Sequence, residues 1–490
     1  MGLLHGFSLI RAYSCNSWRT RLRKKYCCKD LVTEIILMKK NISRNFLIRT
    51  RNSISSHDWA KLLMSCFCTI LLFSASYAQI IGGVDYSDRK NVDKTFDMAG
   101  TDIFGQRFPS ESLTITDPVT GVKIIALTTS RHNSSKIYQD HPNWTADGKY
   151  IVFTSNRNTT AGGNVTFAGN ATVPRSGRQF YAISMATHEI VQITTGGNPG
   201  DLLLSHKKNV AYRFRGSLVI ELNLGQLLAD SEQGKVKDSA SYETVIASIP
   251  ENLKPGGMCI DVSDNKIYFS HRVGENLSAI YAVDLQNKKT TKLIEVPFRT
   301  GHFQANPFLS GEIMYCWETG GDAPQRIWIL SVDKNGKVTN RPGYKENAQE
   351  WVTHEVFINA DNILFNVMGH LDRLQKKPNG IIRLNIRSNE FKLLANAKEL
   401  GGYWHAAGTT DLKWAVVDTF DGTIYRYNLE TGEVTLLSKG HRPNTQSPFS
   451  PQAHAHQSIS PDGKWILINS SMLTDSDIML IPLHPEGLRE

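Results

Sequence analysis

The sequence predicts an all-β fold: a seven-bladed β-propeller of four-stranded blades, its ring closed by an N-terminal strand. Three observations predict it. One strand-turn-strand phrase recurs seven times, the recurrences are spaced like propeller blades, and no long apolar or helical run separates them.

The phrase is clearest at Pro142-Asn143-Trp144-Thr145-Ala146-Asp147-Gly148-Lys149-Tyr150-Ile151-Val152-Phe153, where Asp147-Gly148 makes the tight turn. Its nearest copy runs from Ser458 through Ser460-Pro461-Asp462-Gly463 to Ile468, and weaker copies turn near Lys207, Asp264, Ser310, Asp361 and Asp411. Successive turns lie 46 to 60 residues apart, the length of four short strands and their connections. A third and fourth strand follow each copy, as in Thr423–Leu429 and Glu433–Leu437 around Glu430-Thr431-Gly432, with similar pairs beginning near Arg326, Ile280 and Phe180. After the last copy only Ile478–Leu483 remains, so the seventh blade lacks its outer strand. Val122–Thr128, ahead of the first copy, is the segment placed to supply it and remove the exposed edges.

The apolar fraction of 40% and charged fraction of 21% are those of an ordinary globular chain. The formal charge of +9 is misleading, because residues 1–61 carry 13 Lys or Arg against 3 Asp or Glu. The remainder is close to neutral, which argues against a nucleic-acid partner. The apolar run Leu62–Phe73 follows Lys61 and ends in Ser76-Tyr77-Ala78, whose small residues suit signal-peptidase cleavage after Ala78. About a dozen apolar residues are too few to span a bilayer core about 30 Å thick, so the mature chain is expected to carry no membrane anchor. The expected organisation is a basic leader and signal peptide over 1–78, with residues 1–37 read as a misplaced start, a linker over 79–109 and the propeller over 110–490. Periplasmic or secreted placement follows. Of seven cysteines only Cys259 and Cys316 survive such cleavage, so disulfides do not define the scaffold, and whether these two pair is open. Asn-x-Ser/Thr triplets, among them those at Asn143 and Asn469, matter only in a glycosylating host.

In a propeller the first strand of each blade lines the central channel, so residues at one offset before each turn gather round one axis. His302, His354, His405, His454 and His456 lie six to eight residues before their turns, as does the less constrained His141. His454 and His456, two apart on an extended strand, share a face and suit a single metal ion. Alone such a pair is a weak signal; the phase match in neighbouring blades strengthens it. Two bland readings stay open: His302 as a polar channel residue bonded to backbone, and His405 as a packing partner of Trp404. Gln452 or Gln446 offers an amide oxygen to complete a site for a first-row divalent ion such as Mn2+.

The sequence resembles the oligogalacturonate lyases, propellers of polysaccharide lyase family 22, with an N-terminal half similar to the TolB propeller. The resemblance covers roughly residues 110–485. It rests on Asp147-Gly148-Lys149 with Phe153-Thr154-Ser155-Asn156-Arg157, on Gly301-His302-Phe303-Gln304 with Pro307, on Thr353-His354-Glu355, and on Gln452-Ala453-His454-Ala455-His456 with Ser460-Pro461-Asp462-Gly463. It implies His302 as catalytic base, Arg272 as the assisting arginine, and His354, His454, His456 and Gln452 as ligands of manganese. The family's glutamine lies three residues before the first closing histidine, where this chain has Pro451, so Gln452 departs from the pattern.

The implied reaction is metal-assisted β-elimination on short α-1,4-linked oligogalacturonides, as in pectin degradation. The C5 proton beside a carboxylate is a weak acid, and a divalent ion on that carboxylate with a neutral imidazole nearby answers both needs. A hydrolase is disfavoured because no paired carboxylates stand out at channel positions. A TolB-like binding propeller without enzymatic activity, and a propeller lyase for another uronate polymer such as ulvan, remain as alternatives.

Overall fold

The computed structural model describes residues 103–486 except 131, 158–163, 167–171, 175–177, 196–200, 397–401 and 443–452, together with a short strand pair, Ile80–Ile81 and Val84–Asp85. The expected leader over 1–78 and Gln452 lie outside the described residues.

Seven antiparallel sheets form the ring, and the seven expected turns each join a blade's first strand to its second. Blades 2 to 6 have four strands in sequence order. Their innermost strands are Leu203–Leu204, Pro255–Ile260, Thr300–Ala305, Val352–Phe357 and Tyr403–Gly408. Blade 7 begins at Ser458–Ile459 and closes the ring with two strands from the other end of the propeller. Lys123–Ala126 pairs with Asp477–Pro482, and Leu113–Thr116 pairs outside it. The expectation of a closing strand is met and exceeded by one. Arg107–Phe108 likewise adds to the outer edge of blade 1.

The second and third strands read as near-continuous apolar runs because each blade is covered on both faces. Gln179–Ser184 is buried at every position, and so is Asn362–Val367. Core clusters fill the gaps between neighbouring blades. Val416, Ile424 and Leu437 of blade 6 meet Ile466, Ile468 and Met479 of blade 7, and Leu467 and Leu480 of blade 7 meet Ile151 and Tyr181 of blade 1. The helix Leu224–Glu232, capped by the Asn223 side chain on Gln226 N–H, packs Leu227 and Leu228 beside blades 1 and 2.

Blade 1 departs from the pattern. Its innermost strand, Ser134–Lys136, pairs with the second strand, leaves it over 137–142, and returns at a bridge between Trp144 and Ile151. The excursion carries Tyr138 and His141 into the channel. Cys259 and Cys316 are both buried and unpaired. Asn143 and Asn469 are also buried, with their amides bonded to the carbonyls of His141 (2.8 Å) and His454 (3.1 Å), so neither offers a glycan acceptor in the folded chain.

The closure is locked by a buried ion pair. The Arg157 guanidinium meets Glu111, Ser134 Oγ (2.6 Å), Ser155 Oγ (2.8 Å) and Ser130 Oγ (3.0 Å), while Glu111 also accepts the backbone N–H of Ser130 (2.6 Å) and Thr129 (3.0 Å). Removing one partner strands a buried charge. We therefore expect Arg157→Ala to lower stability by about 3–5 kcal/mol, read as an earlier urea midpoint; a midpoint matching wild type would show that the pair does not hold the ring.

Candidate functional site

The inner strands of four successive blades share one irregularity. In blades 3 to 6 two residues oppose one on the second strand: Gly256-Gly257, His302-Phe303, His354-Glu355 and Trp404-His405. Such bulges re-aim side chains and raise local twist. His302 and His354, first in their bulges, have left-handed φ of 47° and 57°, and His456 in blade 7 has 44°. That region costs a non-glycine residue about 1–2 kcal/mol, and such strain concentrates where function holds a side chain in place. Counting back from the turns blurred the equivalence. In blade 6 Trp404 stands where His302 and His354 stand, and His405 takes the second position.

The residue opposite the blade 6 bulge is Asp418, where blades 3 to 5 have Ser270, Tyr315 and Phe365. Its buried carboxylate accepts the His405 backbone N–H (2.6 Å) and lies 3.1–3.2 Å from His405 Nδ1. With the ring proton on Nδ1, Nε2 carries the lone pair, and that atom is buried without a hydrogen-bond partner. This is the carboxylate-imidazole arrangement that orients metal-binding histidines. Burial, reinforced by the neighbouring imidazoles, holds the His405 pKa well below the usual range.

His405 is the centre of the cluster. Its ring centroid lies 4.2 Å from that of His354, 4.3 Å from His456 and 5.7 Å from His454. One ligand atom each from His405, His454 and His456 lie within 4.8 Å of one another. Trp404 ties the set together. Its carbonyl accepts His354 Nδ1–H (2.6 Å) and its indole N–H donates to His454 Nδ1 (2.6 Å). Because an indole nitrogen only donates, neutral His454 carries its proton on Nε2. Coordination through His454 therefore requires the ion to take the Nδ1 lone pair from Trp404 or the ring to change tautomer.

A second constellation faces the first. His302 Nε2 lies 3.5 Å from Glu318, Cys316 Sγ lies 3.7 Å from the same carboxylate, and buried Arg326 reaches Glu318 (3.9 Å) and Glu355 (3.0 Å). Tyr138 bridges the two groups, its ring centroid 5.3 Å from His302 and 4.7 Å from His456. Beside it opens a cavity of about 460 Å³ lined by Lys136, Tyr138, Asp140, His141, Asp201 and His302 among others. Gly257 keeps one wall thin, since a Cβ there would lie 2.9 Å from the Phe303 ring.

The structure gathers His354, His405, His454 and His456 of the sequence reading, sets His302 across Tyr138 from them, and places His405, outside the ligand set that the resemblance implied, at the centre. Arg272 is exposed at the 272–277 hairpin of blade 3, its guanidinium on the carbonyls of Gly274 (3.2 Å) and Glu275 (3.3 Å). Sequence reasoning missed Asp418, Tyr138, Glu318 and Lys136, and gave Trp404 only as a packing partner of His405. A carboxylate inside the apolar strand Trp414–Thr419 was a legible sign for Asp418; the others bear none. Among the described residues no helix is long and apolar enough to cross a membrane.

Fold and site together define a seven-bladed propeller with an imidazole cluster on its inner strands. No protein-family model and no curated protein sequence matches the chain. Solved structures do. An oligogalacturonate lyase in complex with manganese is 18% identical, with a TM-score of 0.61 over 79% of this chain and 99% of its own. The oligogalacturonate lyase of Vibrio parahaemolyticus is 18% identical, with a TM-score of 0.60 over 79% and 100%. TolB from Acinetobacter baumannii is 10% identical with a TM-score of 0.34 over 68% and 80%. The chain has the fold of the two lyases, as its sequence resemblance implied.

Lys136 gives the site a measurable signature. Burial pushes its amine down to about 7 from an ordinary 10.5, against the opposing pull of Asp140. Between these values the unfolded chain holds a proton that the folded chain has released, so stability rises with pH across that window and the gain is lost as pH falls through about 7. Lys136→Met is expected to flatten that rise, which amounts to at most about 1.4 kcal/mol per pH unit. Urea unfolding at pH 7 and pH 9 checks this; equal slopes in variant and wild type would refute it.

Proposed function

We propose that the protein is a lyase that cleaves short α-1,4-linked oligogalacturonides by metal-assisted β-elimination, acting in the periplasm or outside the cell. The observation that carries this reading is the convergence of imidazoles from blades 4 to 7, with His405 Nε2 buried, unpartnered and oriented by Asp418. The fold shared with a manganese-bound oligogalacturonate lyase supports it.

The residues present fit a first-row divalent ion. Three imidazoles offer ligand atoms within 4.8 Å, and among the described residues no second thiolate joins Cys316 to favour a softer metal. His405, His454 and His456 would hold it, with His354 alongside and Gln452 the remaining candidate from the sequence. The ion would act as a Lewis acid on the carboxylate of the sugar being cleaved. His302 is the base that takes the C5 proton. Glu318, 3.5 Å from its Nε2, stabilises the imidazolium that forms. The C4–O4 bond then breaks as the C4–C5 double bond forms, and the departing O4 takes up a proton from the His302 imidazolium or water, leaving a 4,5-unsaturated uronate and a shortened chain. Arg326 holds Glu318 and Glu355 in place and suits the arginine's role by position better than the exposed Arg272.

The competing binding-propeller reading draws on Trp404, which satisfies His354 and His454 without an ion. Incubating the purified protein with trigalacturonate, with manganese or with a chelator, separates the two. Product masses that sum to the substrate without added water, lost with chelator and restored by manganese, are expected; no cleavage and no bound metal would favour the binding module, and added water a hydrolase. His302→Ala should cut turnover about 10²–10⁴-fold while retaining metal. Asp418→Asn should weaken metal binding about 10–100-fold, measured by metal titration; an Asp418→Asn protein with wild-type affinity would remove His405 from the ligand set.

A further inference from the structure

Two cations, buried Lys136 and half-buried Arg178, stand on blade 1 beside the imidazole cluster, and neither has a carboxylate within ion-pair distance among the described residues. Lys136 is 5% exposed, lines the 460 Å³ cavity, and gives its ammonium to a single protein acceptor, the Ile137 carbonyl (2.8 Å). Arg178 donates to Ser135 Oγ (2.8 Å), while its Nε is buried without a partner. Ser135 adjoins Lys136 and pairs with Thr154, which lines the same cavity. Burial alone pulls the Arg178 pKa down to about 10, and no anion raises it.

Buried cations without anions are costly, and folded chains tolerate them mainly where a ligand supplies the missing charge. Buried Arg157, Arg213 and Arg326 follow the rule, meeting Glu111, Glu243 and Glu355. Lys136 and Arg178 do not. The cavity wall also holds Asp140, 3.4 Å from His141 Nε2, and Asp201. An anion is repelled there, whereas carboxylates accept sugar hydroxyls well. Cationic groups and carboxylate acceptors together match one uronate residue, which carries both a carboxylate and hydroxyls.

We propose that Lys136 and Arg178 form a second carboxylate subsite, which holds the uronate next to the one cleaved at the imidazole cluster. A cation pair suits this task because charge-assisted hydrogen bonds are the strong ones and a guanidinium can grip a carboxylate with two N–H groups. Chain length and charge at this neighbouring sugar then become determinants of affinity. The proposal rests on the reading of the protein as acting on uronate chains, but it concerns binding rather than cleavage.

The test uses the full protein at about pH 6, where Lys136 keeps its proton and galacturonate is a carboxylate, in chelator so that no turnover occurs, with trigalacturonate and its fully methyl-esterified, neutral counterpart as probes in titration calorimetry. Lys136→Met is expected to weaken trigalacturonate binding at least about tenfold and to leave the ester unchanged, with Arg178→Gln acting in the same direction. Thermal unfolding confirms that each variant is folded; Arg178→Gln carries the test if Lys136→Met is not. Equal loss for acid and ester, unchanged affinity for the acid, or no binding of trigalacturonate by wild type would each overturn the subsite. Wild-type elimination with manganese tests the lyase reading separately. If cleavage fails while charge-selective, Lys136-dependent binding persists, the subsite stands and the lyase does not.

Discussion

Everything at the centre of this molecule depends on closing the ring. A propeller blade is an open sheet with an edge, and only when Lys123–Ala126 pairs with Asp477–Pro482 do the first and last blades become neighbours. The closure is long-range in sequence and is reinforced where the chain passes from strand to strand. Glu111, just before the outermost strand of blade 7, is tied to Arg157 at the end of the second strand of blade 1. Asn469 crosses the same seam, accepting the Lys136 N–H (2.9 Å) and donating to the His454 carbonyl. The seam therefore sets the distance between Tyr138 of blade 1 and His456 of blade 7, and with it the shape of the site.

Within the ring, the bulges decide what the channel contains. A regular inner strand would alternate its side chains between two sheet faces already committed to inter-blade packing. Two residues against one break the alternation and free a side chain for the channel, at the cost of left-handed backbone at His302 and His354. In blade 6 the same device releases Trp404, whose carbonyl and indole hold histidines from the blades on either side. His405, turned inward behind it, is satisfied on one nitrogen only. A chain under selection for stability alone would place an apolar side chain opposite that bulge, as blades 4 and 5 do with Tyr315 and Phe365. Asp418 is buried there instead, with its pKa pushed up to about 7 by burial, and the His405 hydrogen bonds are what it gains. That exchange gives up stability for the orientation of the His405 ring.

Much of this was legible in the sequence because it is periodic. Asp147-Gly148 and Asp462-Gly463 announce tight turns, the apolar runs between them announce buried strands, and the remnant Ile478–Leu483 announces a blade in need of completion. The histidines were legible for the same reason, since offsets from a turn survive as positions along an inner strand. What was not legible follows from irregularity. The bulges shift the count by a residue, so the phase match that included His405 did not mark it as the hub of the cluster. Tyr138 and Lys136 belong to the one blade whose inner strand leaves its partner, and no spacing rule reaches into an excursion. Arg272 shares a strand with Phe269 and His271 but lies past the last residue that pairs with the inner strand, which turns it to solvent.

The sequence by itself determined the fold class, the number of blades, the source of the closing strand and the family of side chains at the channel, because each is set by local periodicity and by the need to bury apolar strands on both faces. Only the tertiary structure decided which imidazoles meet, which nitrogen each presents, and which cations lack an anion. Those are properties of residues hundreds of positions apart brought within a few ångströms. Their hydrogen bonds and burial depend on the neighbouring blades, which no pattern along a single strand encodes.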